Sequence, residues 1–237
     1  RNYNNYRPFS TYVSMTSPAL RARLNSLGPD GHWIDVGAGQ GDAQRTYSNE
    51  RSSAGRAPPR LTGISVDPAP DRAVFRAFYG PERSGRVRFL DRTPVDSIPP
   101  GTFRDVDVVT DVYGAASYTH DLSRTLETEL GFLREESGEL YLHLGLEPAE
   151  RPPGTYDESG LHLVDADGNP LALERYLAMI QGIEVVESTR ASDGRVISLR
   201  ARLRRTTGPI VVPTLTLHRF YWGSPPLREY RLVGPRS

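Results

Sequence analysis

A glycine-rich segment that follows a short apolar run constrains this chain more than any other feature. The run His32–Val36 contains Asp35, and Gly37, Gly39 and Gly41 come directly after it. Glycine adopts backbone angles that other residues avoid, and it has no Cβ to obstruct a close neighbour. The pattern therefore predicts a parallel strand that ends in a loop lying close against a bound nucleotide.

The spacing of these glycines distinguishes between classes of nucleotide-binding protein. The dinucleotide fingerprint Gly-x-Gly-x-x-Gly needs its third glycine at position 42, where this chain has Asp42. The observed Gly-x-Gly-x-Gly pattern counts against an NAD-dependent or nucleotide-sugar Rossmann enzyme, which remains an alternative.

Composition excludes several kinds of chemistry. The chain has 237 residues, with 29 basic and 29 acidic side chains, and every basic one is arginine. The absence of lysine excludes a Schiff base and a P-loop lysine, and the absence of cysteine excludes disulfides, thiolate metal sites and cysteine nucleophiles. Formal neutrality gives no overall field for nucleic acid, so the candidates for a local basic patch are Arg200, Arg202, Arg204 and Arg205.

Strand-like and helix-like segments alternate along most of the chain. The predicted strands are 32–36, 61–67, 86–90, 105–110 and 138–144, and the predicted helices are 18–27, 42–48, 71–79, 122–134 and 171–180. Two further β runs, 183–188 and 196–202, flank a Ser-Asp-Gly turn that favours an antiparallel hairpin. This alternation predicts right-handed crossovers and a mostly parallel sheet.

The chain divides into three predicted parts. They are an N-terminal helical or lid segment (1–27), a nucleotide-binding core (28–205) with a Pro- and Gly-rich insertion (145–170), and a C-terminal extension (206–237). The extension is aromatic, proline-broken and β-prone, and an added edge strand, a lid and a dimer arm all stay open for it. No apolar run reaches the roughly 20 residues of a membrane span.

Two smaller patterns have two interpretations each. Aromatic residues at near-helical spacing, Tyr3, Tyr6, Phe9 and Tyr12, would form either a lid over a pocket or ordinary hydrophobic docking. The stretch 165–169 (Asp-Ala-Asp-Gly-Asn) is similar to a calcium loop, but it lacks the remaining ligands, so we interpret it as a turn. We predict no metal site.

The segment Asp35-Val-Gly-Ala-Gly-Gln-Gly41 resembles motif I of the class I S-adenosylmethionine (SAM) dependent methyltransferases. The order of predicted elements is also similar, since that family has seven strands of which the last is antiparallel. The resemblance covers about residues 20–203. It implies an α/β, Rossmann-like class I methyltransferase fold, a mostly parallel seven-stranded sheet with a C-terminal antiparallel hairpin.

The resemblance also implies which residues hold the cofactor. Asp35, Gly37 and Gly39 would line its methionine portion, and Gly41 would also belong to the cofactor site. Asp67, at the end of the second strand, would accept hydrogen bonds from both ribose hydroxyls. A carboxylate suits that task because it accepts two charge-assisted hydrogen bonds at once. The alternative for Asp67 is a turn residue before proline.

Further cofactor residues follow the third and fourth strands. Asp91 resembles the acid that accepts a hydrogen bond from the adenine amino group, and Asp96 competes for that role. Asp111 ends the fourth strand where the family approaches the methionine amino group, and Tyr113 follows it. Asp111 is not followed by the Pro-Pro-aromatic motif of the family members that methylate nucleobase amines.

The loop from 111 to 121 holds the candidate catalytic residues His120, Tyr118 and Asp111. Transfer of a methyl group to a hydroxyl needs a base, and an unperturbed histidine has a suitable pKa. In the alternative, Asp121 caps the following helix and His120 only packs beside it. His143 is a second candidate base, although its strand position also suits a core histidine.

The sequence therefore predicts a bacterial, cytoplasmic SAM-dependent methyltransferase that yields S-adenosylhomocysteine. Its acceptor would be a small molecule or a peptide, methylated at oxygen, as in natural-product tailoring. The alternatives are a methyltransferase-like binding module without turnover and an RNA methyltransferase. We expect no membrane partner and no nucleic acid, and the N- or C-terminal segment offers a surface for a homodimer.

Overall fold

The structure is a computed structural model that describes residues 6–67, 86–148, 160–192, 196–221 and 227–233. The helix predicted at 71–79 lies outside these residues. The described strands form a seven-stranded and a three-stranded sheet.

The helices are α1 (Phe9–Met15), α2 (Pro18–Ser26), α3 (Asp42–Ser53), α4 (Ala115–Tyr118), α5 (Leu122–Phe132) and α6 (Leu173–Ala178). The strands are β1 (His32–Val36), β2 (Arg60–Ile64), β3 (Val87–Leu90), β4 (Val108–Val112), β5 (Glu139–Pro148), β6 (Gly160–Val164), β7 (Ile183–Ser192), β8 (Val196–Arg205), β9 (Leu215–Tyr221) and β10 (Leu227–Leu232). A 3-10 turn, Val95–Ser97, follows β3.

The larger sheet has the strand order β3-β2-β1-β4-β5-β8-β7. Neighbours from β3 to β5 are parallel, whereas β8 is antiparallel to both β5 and β7. Every residue of β1 and of β4 is buried, as expected for central parallel strands with helices on both faces. The predicted mostly parallel sheet with its C-terminal antiparallel hairpin is confirmed.

Local sequence signals explain the starts of two helices. Ser17 caps α2, since its hydroxyl accepts a hydrogen bond from Ala19 N, and Pro18 takes the first helical position. Asp121 caps α5 by accepting from Arg124 N at 2.9 Å. The helix-capping interpretation of Asp121 is therefore confirmed.

The three-stranded sheet has the order β6-β10-β9. Strand β6 is parallel to β10, and β9 is antiparallel to it. The insertion at 145–170 and the extension at 206–237 thus pair with each other in one sheet. After β6 the chain turns as predicted, because Asp165 Oδ1 accepts from Asp167 N and Asn169 N.

The segment before β1 packs into the hydrophobic core. Phe9 is fully buried, and its ring centroid lies 4.8 Å from that of Tyr47 and 5.9 Å from that of Trp33. Phe9 N also donates to Thr46 Oγ1 at 2.8 Å. For Phe9, hydrophobic docking is therefore the interpretation that the structure supports.

The candidate basic patch on β8 is largely compensated by acidic side chains. Glu139 contacts Arg202 at 2.7 Å and Arg204 at 3.4 Å, and Arg205 contacts Glu135 at 3.1 Å. Three of the four arginines of this candidate patch are therefore in ion pairs with acidic side chains. In the part of the chain that the structure describes, no helix has the length and apolar character to cross a membrane.

We expect Phe9→Ala to lower the free energy of unfolding by about 3–5 kcal/mol, since it would leave a cavity beside Trp33 and Tyr47. Chemical denaturation measures this difference. The control is Tyr6→Ala, which removes a 61% exposed ring from the same segment and should cost less than about 0.5 kcal/mol. Equal effects of the two substitutions would contradict the docking of this segment.

Candidate active site

A cavity of about 910 Å³ lies at the carboxyl ends of the parallel strands. Its walls come from the segments that follow β1, β2, β3 and β4, and from the N-terminal segment. This is the edge at which open α/β sheets bind ligands. Of the predicted site residues, it brings together Gly37, Gly39, Asp67, Asp96, Tyr113, Tyr118 and His120.

The three glycines after β1 are needed for three different reasons, although all have positive φ. A Cβ on Gly37 would lie 2.3 Å from Gly114 Cα, so this position allows the β1 and β4 loops to touch. A Cβ on Gly39 would meet no described atom within 4 Å, and this residue lines the cavity. Gly41 forms the left-handed N-cap of α3.

Asp35 was predicted to contact the cofactor, but it is not part of the cavity lining. It is fully buried, and it accepts hydrogen bonds from Tyr12 Oη at 3.0 Å and from Thr110 Oγ1 at 2.7 Å. Burial raises the pKa of Asp35 to about 7. Tyr12 does line the cavity, so Asp35 acts on the site by holding the Tyr12 ring in place.

Asp111 lies near the end of β4 as predicted, but it is not part of the cavity lining. It is fully buried, and its two carboxylate oxygens accept from Gly114 N and Ala116 N, both at 2.8 Å. Burial raises its pKa, and burial together with the Asp111 charge raises the pKa of the adjacent Glu129 well above its usual value. The acid near the end of β4 therefore fixes the α4 turn, and it is not part of the cavity lining.

One end of the cavity carries two acidic side chains. Asp67, after β2, is exposed, and Asp96 lies in the 3-10 turn after β3. Val66, which is 67% exposed, and Val95 line the same end. Of the two acids predicted for the adenine group, the structure places Asp96 on the cavity, whereas the exposed Asp91 is not part of its lining.

The other end of the cavity is aromatic. Tyr113 has a positive φ of 50°, a strained conformation that often marks functional sites, and its ring centroid lies 4.5 Å from that of His143. Tyr118 and His120 lie on the same wall. The His120 ring contacts Phe220 on β9, with the two centroids 4.3 Å apart.

His143 lies deeper than the candidate base His120. It is 3% exposed, its Nδ1 contacts Met15 O, and its backbone carbonyl accepts from Tyr113 N at 2.9 Å. Its position suits the core-histidine interpretation. Within the described residues, no three His, Asp or Glu side chains are grouped so that they would hold a metal ion.

Sequence reasoning missed one residue of the cavity lining and one residue that packs against the lining. Arg7 lines it from the N-terminal segment, with its guanidinium 5.7 Å from the centre of the Tyr113 ring. Phe220 reaches His120 from the C-terminal sheet. Neither residue belongs to a local motif. The only sequence signal near them was the aromatic character of the two terminal segments.

Comparison with known proteins supports the fold. No family model matches the sequence, and no curated protein matches it either. Among solved structures, the chain is similar to the 1,6-didemethyltoxoflavin-N1-methyltransferase of Burkholderia thailandensis, with 19% identity, 87% of this chain and 84% of that chain covered, and a TM-score of 0.54.

Two further structures have a similar degree of likeness. For the [4+2]-cyclase SpnF, the identity is 15%, the coverage is 87% of this chain and 86% of that chain, and the TM-score is 0.53. For the geranyl diphosphate C-methyltransferase of Streptomyces coelicolor A3(2), the identity is 14%, the coverage is 82% of this chain and 76% of that chain, and the TM-score is 0.52. The chain therefore has the class I methyltransferase fold, as the resemblance implied.

We expect Gly37→Ala to destabilise the protein by about 1–3 kcal/mol more than Gly55→Ala, because overpacking adds to the cost of positive φ. Both glycines have similar φ values of 72° and 69°, but a Cβ at Gly55 would meet no described atom within 4 Å. Chemical denaturation of both variants isolates the contact with Gly114. Equal losses would show that the two loops do not need this close approach.

Proposed function

We propose that this chain is a SAM-dependent methyltransferase that methylates a hydroxyl group of a small molecule. The observation that carries the proposal is the arrangement of one cavity, with a glycine loop, an exposed acid after β2 and a second acid after β3 along it. This set of groups suits an adenosine-containing cofactor with a positive charge and no phosphate.

The acidic end of the cavity fits a nucleoside. Asp67 is exposed to the cavity, and its carboxylate would accept both hydroxyls of a ribose. Asp96 would accept a hydrogen bond from an adenine amino group, and Ile64, Val66 and Val95 would provide apolar contacts for the base. At Gly39 the missing side chain leaves room for a ligand against the backbone.

SAM, when bound, supplies a methyl group on a sulfonium that is transferred by in-line displacement. The protein contributes alignment of the acceptor and exclusion of water from such a reaction. The Tyr118 ring lines the part of the cavity that would receive the acceptor, and the rings of Tyr12 and Tyr113 line the part that would lie beside the cofactor. Tyr12 is held there by its hydrogen bond to the buried Asp35.

His120 is the base in this proposal. It is an exposed histidine on the cavity wall, and it is oriented by its contact with Phe220. A neutral imidazole would take the proton of an acceptor hydroxyl as the methyl group arrives. Asp111 has no catalytic role in this proposal, because its carboxylate accepts hydrogen bonds from Gly114 N and Ala116 N at the start of α4.

The proteins of similar structure support a small acceptor but leave the reaction open. Their names describe methylation at nitrogen of didemethyltoxoflavin, methylation at carbon of geranyl diphosphate, and a [4+2] cyclisation. A cyclase with this fold makes a role other than methyl transfer the second candidate function. Titration with SAM and S-adenosylhomocysteine tests the cofactor first, and release of S-adenosylhomocysteine in the presence of hydroxyl-bearing acceptors then separates turnover from binding alone.

Asp67→Ala should weaken SAM binding about tenfold or more, which corresponds to about 1.4 kcal/mol, because it removes both ribose acceptors. Asp96→Ala should also weaken it, through the adenine group. Isothermal titration calorimetry measures both.

The matched control is Asp91→Ala, which removes an exposed acid outside the cavity lining. The affinity of this variant for SAM should equal that of the unmodified protein. Unchanged affinity in Asp67→Ala would remove the ribose assignment, and a loss in Asp91→Ala with none in Asp96→Ala would return the adenine role to Asp91.

His120→Ala should lower the rate of methyl transfer about a hundredfold, within the usual range for a lost general base, while SAM affinity changes little. The rate is followed as S-adenosylhomocysteine formed from a hydroxyl acceptor. His218→Ala serves as the control because His218 is exposed on β9 and outside the cavity lining. A variant lacking His120 that keeps its full rate at every pH would show that another group, or no group, takes the proton.

A further inference from the structure

The charged groups on the cavity wall are separated by sign. Asp67 and Asp96 lie at the end formed by the segments after β2 and β3. A third acid, Asp42, is already paired with Arg45 at 2.8 Å. Among the described residues, Arg7 is the only arginine of the lining.

Arg7 is located at the opposite end of the cavity from the acids. Its Nη1 donates to Val112 O, the last carbonyl of β4, and its guanidinium lies 5.7 Å from the centre of the Tyr113 ring. The order β3-β2-β1-β4 puts the glycine loop after β1 between this arginine and Asp67. Within the described residues, Arg7 forms no ion pair with a carboxylate, so Nε and Nη2 can donate to a ligand.

We infer that Arg7 binds the carboxylate of the amino acid end of SAM. The inference rests on the proposed function, and it concerns the same cavity. A ligand with hydroxyl and amino donors at one end and a carboxylate at the other matches the separation of charges along the wall. Guanidinium suits a carboxylate because its planar array of donors forms two parallel charge-assisted hydrogen bonds.

The N-terminal segment holds Arg7 in position before any ligand arrives. Two residues further on, Phe9 is fully buried and its N–H donates to Thr46 on α3. Tyr12 is bound to Asp35 at the end of β1. A side chain positioned in this way loses less conformational freedom on binding, which favours affinity.

Two ligands that differ in the amino acid end test the inference without an acceptor. S-adenosylhomocysteine has the carboxylate, whereas 5′-methylthioadenosine keeps the adenosine and a thioether but has no amino acid end. In Arg7→Met, which retains an apolar stem over Tyr113, the affinity for S-adenosylhomocysteine should fall about tenfold to a hundredfold. The affinity for 5′-methylthioadenosine should stay within about twofold, which also shows that the variant is folded.

The matched control is Arg21→Met. Arg21 also has its guanidinium over an aromatic ring, 4.7 Å from the centre of Phe9, but it pairs with Glu50 and is not part of the cavity lining. Both ligands should bind this variant as they bind the unmodified protein. Arg7→Lys keeps the positive charge but loses the planar pair of guanidinium donors. Its affinity for S-adenosylhomocysteine should therefore lie between those of Arg7→Met and the unmodified protein.

The other outcomes overturn the inference. Equal losses for both ligands in Arg7→Met would mean that Arg7 acts on the structure of the site, and no loss for either would mean that it does not touch the cofactor. Normal cofactor affinity with lost acceptor turnover would assign the arginine to an anionic group of the acceptor. Failure of the unmodified protein to bind either ligand would instead reject the proposed function.

Discussion

The close approach of two backbones at Gly37 and Gly114 determines the geometry of the whole site. A Cβ on Gly114 would lie 2.3 Å from Val36 O, and one on Gly37 would lie equally near Gly114 Cα. The loops after β1 and β4 can therefore touch only if both positions lack side chains. Because Asp111 then caps α4 from beneath, the glycine loop and the segment with Tyr118 and His120 form one continuous wall.

The elements of the central sheet could be predicted from sequence because their signals are local. Apolar runs between turn residues gave β1 to β5, and Ser17-Pro18 and Asp121 gave two helix starts. The roles of the acids at the strand ends were harder to predict, since ligand-binding and structural carboxylates have the same local pattern. The hydrogen-bond partners of the buried Asp35, Tyr12 and Thr110, lie 23 and 75 positions away in the sequence. No local sequence pattern predicts partners at such distances.

The second sheet shows the same limit at a larger scale. Strand β6 pairs with β10 across the whole β7–β8 hairpin, so the insertion and the extension looked independent in sequence although they form one sheet. By tertiary packing, Arg7 of the N-terminal segment reaches the cavity, and Phe220 of the C-terminal extension reaches His120 on the cavity wall. Strand periodicity predicts that such segments are ordered, but it does not predict which wall of the site they complete.

The C-terminal sheet holds the His120 segment through two buried contacts. Arg228 Nη1 donates to Ala116 O and Tyr230 Oη donates to Thr119 O, both at 2.7 Å. The acidic end of the cavity depends on early strands, whereas its aromatic wall is held by strands that lie after residue 205. A substitution in the late strands can therefore shift the aromatic wall while the early strands, which carry the acidic end of the cavity, stay unchanged.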